Sequence, residues 1–282
     1  MIVLITIVIA LGLVYLFLLA PARAIASDDQ LWKNNYAHRG LHQKDKSIPE
    51  NSLSAFQKAV TAGYGIELDI NLTADGKVVV FHDDSLLRVC GIERLITDCT
   101  AAQLSNYRLE KTNEPIPLLE EVLQLVDGRV PIIVELKNTP NWVMLCEKSV
   151  ELLDHYDGHY CIESFHPGIV RWFYKNRPGV TRGQLSAGMR SFKGTPFGQR
   201  LIITSLLTNA LSRPHFVAYK HEDAYYRLAL YLFKVMGGKL AGWTVRDTDN
   251  VAKCMAYFDV IIFEFLKPGI KTDEFNEELL EN

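Results

Sequence analysis

Glu67 and Asp69 stand two residues apart in the strand-like run Gly65 to Leu72, so both carboxylates point to one face. Glu135 and Lys137 repeat the spacing in Ile132-Ile133-Val134-Glu135-Leu136-Lys137. There, three apolar residues lead straight into two charges, as they do where a buried strand ends at a site. Three carboxylates converging on one mouth repel one another unless a cation neutralises them, and an all-oxygen donor set suits Mg²⁺ or Ca²⁺ better than zinc. Such an ion polarises a phosphoryl oxygen and stabilises a developing alkoxide. Arg39 and Lys137 supply charge for the phosphate oxygens, and His38 and His82, each near a strand end, can give and take protons near neutral pH. Hydrolysis of a phosphodiester needs both operations, one activating the attacking oxygen and the other protonating the leaving alcohol. Taken singly, each of these residues reads as a solvated charge, a satisfied histidine or a salt-bridge partner. The grouping carries the reading.

These side chains need a scaffold that brings distant segments to one place. Strand candidates run from Tyr36 to His38, Gly65 to Leu72, Val78 to His82, Ile132 to Leu136, Tyr160 to Phe165, Thr181 to Leu185, His215 to Tyr219, Leu240 to Val245 and Val260 to Phe263. Helical stretches such as Ser52 to Thr61, Leu118 to Val126, Trp142 to His155 and Glu222 to Met236 lie between them. This alternation over most of the chain predicts an α/β fold, a TIM-type (β/α)8 barrel with its site at the C-terminal strand ends. Nine candidates compete for eight places, and the turn signal Thr73-Ala74-Asp75-Gly76 resolves the excess by folding two of them into a hairpin. That hairpin also carries His82 back toward Glu67 and Asp69. The stretch from about 84 to 117 has no strand-helix rhythm and reads as a small insertion over the mouth. Trp243 is expected to line that mouth against the substrate's carbon skeleton, with core packing as the alternative. Phe56 and Ala59 read as core positions of a helix capped by Asn51 or Ser52, and His42, His166 and His215 as structural or surface residues.

From Ile2 to Ala20 the chain carries no charged side chain, a run long enough as a helix to approach the thickness of a hydrocarbon core. It predicts a single-pass N-terminal anchor over residues 1–26, ahead of a short linker and barrel domain over 27–282. A cleaved signal segment is the alternative, because Ala22-Arg23-Ala24 and Ala24-Ile25-Ala26 resemble cleavage sites, whereas no basic side chain precedes the run. Arg23 and Lys33 lean toward a cytoplasmic barrel, and sidedness stays open. Five scattered cysteines without metal-like spacing are expected to be free thiols, mostly buried. A formal net charge of -3 supplies no general attraction to nucleic acid.

Taken in order, His38-Arg39-Gly40, Pro49-Glu50-Asn51-Ser52, Glu67-Leu68-Asp69, Thr73 with Asp75-Gly76, His82-Asp83, Glu135-Leu136-Lys137 and Trp243-Thr244-Val245 resemble the glycerophosphodiester phosphodiesterase family, over about Asn35 to Pro268. The resemblance implies a TIM-type barrel with an insertion after the His-Asp strand. It implies metal-dependent hydrolysis of glycerophosphodiesters to glycerol 3-phosphate and an alcohol. On the matching positions, Glu67, Asp69 and Glu135 bind a divalent cation, His38 and His82 are acid and base in an order left open, and Arg39 and Lys137 meet the phosphate. It also suggests that a glycerol hydroxyl attacks first, giving a cyclic phosphate. One departure is visible: many members end the last strand with Thr-Asp, where this chain has Phe263-Glu264. The alternatives are a lysophospholipase D acting on membrane lipids and a non-catalytic phosphate-binding module. Small-molecule or lipid phosphodiesters and the membrane are the partners expected.

Overall fold

The computed structural model describes residues 1–22 and 29–266. The cleavage-like segment, most of the linker, the boundary at 26/27, Arg23 and Pro268 lie outside the described residues. Among the described residues nine strands form: β1 (Tyr36–His38), β2 (Gly65–Leu72), β3 (Val78–Val80), β4 (Ile132–Leu136), β5 (Tyr160–Ser164), β6 (Arg182–Ser186), β7 (Phe216–Lys220), β8 (Lys239–Arg246) and β9 (Val260–Glu264). The order β1-β9-β8-β7-β6-β5-β4-β2, together with pairing of β1 to β2, closes eight parallel strands into a barrel. β3 pairs antiparallel to β2 outside this ring, with Ile70 opposite Val80 and Leu72 opposite Val78. It is the hairpin anticipated from the Asp75-Gly76 turn.

The alternation along each strand separates two interiors. Ile66, Leu68, Ile70, Val134 and Leu136 face the surrounding helices and are buried with Phe56, Leu119 and Leu145 in the main core. Tyr36, Ile133, Phe216, Ala241 and Ile262 face inward and fill the lower barrel. Leu31 and Trp32 belong to this plug, the Tyr36 hydroxyl donating to the Leu31 carbonyl at 2.7 Å and Trp32 standing edge-on to Phe216 at 5.5 Å. A fully buried aromatic of this size contributes about 1.5–3 kcal/mol, so the barrel floor is solid. Only its upper layer is left for chemistry.

The insertion makes two short helices, Leu87–Cys90 and Ala101–Leu104, over an apolar cluster containing Phe81, Leu86, Ile96 and Leu109. The helix expected from Glu222 to Met236 is two pieces, His221–Ala224 and Leu228–Val235. The break falls at Tyr226, whose φ of 66° lies in the left-handed region, a conformation no helix interior accepts. The apolar N-terminal run is the helix Ile2–Leu19, exposed along nearly its whole length and sufficient in length and composition to cross a membrane.

Candidate active site

Parallel register aligns the expected residues before any side chain is considered. His38 pairs with Glu67, Asp69 with Glu135, and Glu135 with Glu163, across adjacent strands of the ring. The β2–β3 hairpin leads Phe81 back so that its N–H donates to the Asp69 carbonyl at 2.9 Å. His82, the next residue, reaches the same cavity. That cavity, about 290 Å³, is lined by His38, Arg39, Glu67, His82, Glu135 and Trp243 among others. Asp69 and Lys137 lie directly behind its wall.

The turn after β1 explains how Arg39 enters. Arg39 and Gly40 have φ of 56° and 78°, and a Cβ on Gly40 would stand 2.9 Å from both the Ala55 carbonyl carbon and its Cβ. Glycine therefore lets the helix Leu53–Ala62 press against the turn. Ser52 caps this helix, its hydroxyl accepting from the Ala55 N–H at 3.2 Å. Asn51, at φ 53°, donates its N–H to the Arg39 carbonyl at 2.9 Å and its amide to Asp69 Oδ2 at 2.8 Å. The Pro49-Glu50-Asn51-Ser52 segment thus supplies a helix cap and also braces Asp69.

Glu67, Asp69 and Glu135 are all buried, and each offers a ligand oxygen within 4.8 Å of the others. Lys137 Nζ stands 2.9 Å from Asp69 Oδ1 and 2.7 Å from Glu135 Oε1, and Arg39 Nε stands 3.4 Å from Asp69 Oδ2. Burial would raise the Asp69 carboxyl, but Lys137 and Arg39 outweigh it and hold Asp69 well below the usual carboxylate range. Burial and the charge of Asp69 push Glu67 well above that range. Burial likewise lifts Glu135 to about 7, against the opposing charge of Lys137. The cluster therefore favours taking up protons or a cation. Buried oxygen donors at this spacing fit a hard divalent ion.

His38 Nδ1 is 2.7 Å from Glu264 Oε1, and its Nε2 faces Glu67 Oε2 at 3.9 Å. Burial and the neighbouring Arg39 depress its pKa to about 4, although Glu264 pulls the other way. His82 Nδ1 is 2.5 Å from Asp83 Oδ1. Burial lowers its pKa, with Asp69 opposing. Trp243 meets Phe165 edge-on at 5.6 Å, and its buried indole N–H has no partner among the described residues. All eight residues singled out in the sequence thus gather in or against one cavity.

Several others were not foreseen. Glu264, at the departure from Thr-Asp, also receives Arg246 Nε at 2.9 Å and lies 3.6 Å from His42 Nε2. His42 is therefore a neighbour of the site and not the isolated residue expected. Glu163 is 1% exposed, faces Glu135, and is driven well above the usual carboxylate range by burial and by Glu135. It follows Tyr160-Cys161-Ile162, the same apolar-to-acid pattern that marks Glu135, and that signal could have found it. From the insertion, Arg88 binds Asp83 at 2.5 Å and Glu50 at 2.6 Å, and Glu50 in turn binds Arg39 at 2.8 Å. His166 and His215 line no part of the cavity.

The chain matches the Glycerophosphoryl diester phosphodiesterase family over residues 38–260. It belongs to that family. Members depend on a divalent cation, consistent with the buried carboxylate cluster of this one. Among curated members, a glycerophosphodiester phosphodiesterase of Bacillus altitudinis is 37% identical over 157 residues, covering 51% of this chain and 63% of that protein. The lysophospholipase D GDPD1 of Rattus norvegicus is 35% identical over 120 residues, covering 38% of this chain and 37% of that protein. These matches thus span less than two thirds of either relative. An Oleispira antarctica phosphodiesterase, solved with the product sn-glycerol 3-phosphate, superposes with a TM-score of 0.67 at 22% identity, covering 82% of this chain and 92% of that one. This likeness establishes the barrel fold.

Proposed function

We propose that this chain is a membrane-anchored hydrolase of glycerophosphodiesters, using Mg²⁺ or Ca²⁺ and releasing glycerol 3-phosphate and an alcohol. Residues 1–26 are the anchor segment and 27–282 the linker and catalytic barrel. The observation carrying this reading is one cavity of about 290 Å³ lined by two histidines, Glu67 and Glu135, with Asp69 buried behind its wall within 4.8 Å of both carboxylates.

Glu67, Asp69 and Glu135 hold the cation, which when bound supplies Lewis-acid polarisation of a phosphoryl oxygen and charge for a developing alkoxide. Arg39 and Lys137 orient the phosphate oxygens. Glu264 accepts from the Nδ1–H of His38, leaving the Nε2 lone pair toward the cavity. With a pKa near 4, that imidazole is neutral at working pH, which suits the base that takes a proton from the attacking hydroxyl. His82, held through Nδ1 by Asp83, is then the acid that protonates the leaving alcohol. Attack by the substrate's own glycerol hydroxyl gives a cyclic phosphate, and the same pair, with roles exchanged, opens it with water. Trp243 and Phe165 form the apolar side against which the glycerol carbons rest.

A lysophospholipase D activity is the second reading, favoured by the rat relative and the apolar N-terminal helix. The test is to incubate the full chain in detergent with glycerophosphocholine, glycerophosphoethanolamine and a lysophospholipid, with and without Mg²⁺ or Ca²⁺. Cation-dependent release of glycerol 3-phosphate from the first two is expected. Release of the head-group alcohol from the lysophospholipid alone would favour the second reading, and no release of any product from any of them would leave a silent binding module. His82→Ala should lower kcat by about 10²–10⁴-fold while leaving the fold intact; near-normal turnover would remove His82 from its role.

A further inference from the structure

Among the described residues, the N-terminal helix touches the barrel near its end, and these contacts fix where the barrel sits. The Tyr15 hydroxyl donates to the Ser205 carbonyl at 3.2 Å, and the Asn209 amide reaches the Leu19 carbonyl at 3.4 Å. Arg213 donates to the Phe17 and Ala20 carbonyls at 2.7 and 3.2 Å and stacks over the Phe17 ring at 4.7 Å. The helix has 18 residues and so is about 27 Å long, slightly shorter than a hydrocarbon core of about 30 Å. A helix this short has no turn to spare outside the bilayer. Whatever is bonded to Tyr15, Phe17 and Leu19 is drawn to the membrane boundary with them.

The wall carrying these contacts is apolar outward as well as inward. In the helix Phe197–Thr204, Phe197, Leu201 and Ile202 are exposed, and Leu211 is exposed in the neighbouring helix Asn209–Ser212. In Leu228–Val235, which also packs against the N-terminal helix, Leu230 and Phe233 face the core while Leu228, Tyr231 and Val235 face out. Their i, i+3, i+7 spacing makes one continuous outer stripe, and a helix apolar on both sides belongs in an apolar surround. The exposed cations Arg190 and Lys193 lie on the loop entering Phe197–Thr204, where they would meet lipid phosphates. Outside the anchor, seven of the exposed large apolar side chains gather on this wall, whereas Leu87, Leu95, Val143, Met144 and Phe165 are exposed elsewhere.

We propose that this wall, Phe197–Ser212 with Leu228–Val235, seats in the headgroup and acyl boundary of the bilayer that the N-terminal helix spans, fixing the barrel's rotation about its anchor. The inference rests on the anchor reading. It is tested in the full chain with Cys90 replaced by serine, the other cysteines being buried, and a single NBD-labelled cysteine at position 11, 201, 231 or 58. Lys58 is exposed on the helix after β1, and β1 stands opposite β6 in the ring. In phosphatidylcholine–phosphatidylglycerol vesicles containing doxyl-labelled lipid, labels at 11, 201 and 231 are expected to be quenched and the label at 58 to stay bright. Quenching at 11 alone overturns the wall contact and leaves the anchor standing. Quenching at none overturns both. Unquenched labels at 201 and 231 whose emission shifts with the protein-to-lipid ratio would give the face to a second copy of the chain, again against the proposal.

Discussion

Replacing Glu264 by glutamine isolates one charge at the base. The amide keeps the length of the side chain and an oxygen to accept from His38 Nδ1, now 2.7 Å from Glu264 Oε1. It removes the negative charge that would face an imidazolium. A hydrogen bond to a charged group is worth about 1.5–3 kcal/mol, and a neutral one about 1 kcal/mol. About 0.5–2 kcal/mol of stabilisation is therefore lost when His38 takes up a proton, which corresponds to a fall in kcat of roughly 2–30-fold. Glu264 raises the His38 pKa, which burial and Arg39 have brought to about 4. Without the carboxylate it falls further, so the acidic limb of the rate profile attributable to His38 moves to lower pH. The assay is kcat and KM across pH 4–8 under saturating cation, with thermal melts of both proteins. Glu264→Asp, which keeps the charge but ends about one methylene short of His38, should recover only part of the rate. Unchanged kcat with an unmoved limb would refute the assignment, and a loss of rate matched by a loss of melting temperature would reduce Glu264 to a structural partner of Arg246.

Three other outcomes follow from contacts around the barrel. Arg88→Met frees Asp83 and Glu50 from the insertion. With half-exposed pairs worth up to about 1 kcal/mol each, a drop of about 1–2 kcal/mol in denaturant stability is expected. A fall in kcat/KM of about tenfold should accompany it as His82 loosens. Gly40→Ala forces a Cβ into Ala55 at a φ of 78°, and should cost about 1–3 kcal/mol in a chemical melt. His215 Nδ1 accepts the Arg182 N–H at 3.3 Å, and burial, with the Arg182 charge, lowers its pKa from 6.5 to about 4. The unfolded chain then binds the extra proton first, so stability is lost as pH falls from about 6.5 to 4, by at most about 3 kcal/mol. His215→Gln should flatten that part of the stability profile.

Much of this molecule is legible in one dimension because strands leave local marks. Runs such as Ile132–Leu136 and Val260–Glu264 are apolar, β-branched and short, and all nine expected strands form within two residues of their expected bounds. Same-face pairs such as Glu67 and Asp69 follow from the strand period alone. What the period cannot supply is the stagger between strands, which is set by closure of the ring. It is this stagger that puts His38 beside Glu67 and Asp69 beside Glu135. The unforeseen residues depend on the same kind of information. Asn51 reaches Asp69 through a left-handed turn, and Arg88 arrives from an insertion with no periodicity.

Glu264 shows the limit most clearly, because in the sequence it is only a mismatch to a family pattern. Its meaning lies in what surrounds it: His38 and His42 on one side and Arg246 on the other. Burial alone would push such a carboxyl upward, yet these three neighbours hold it well below its ordinary range, so it stays ionised beside the base. A shorter aspartate on the same backbone would fall about one methylene short of His38. The longer side chain therefore restores a contact across the end of the barrel, and it can be understood only together with the residue it reaches.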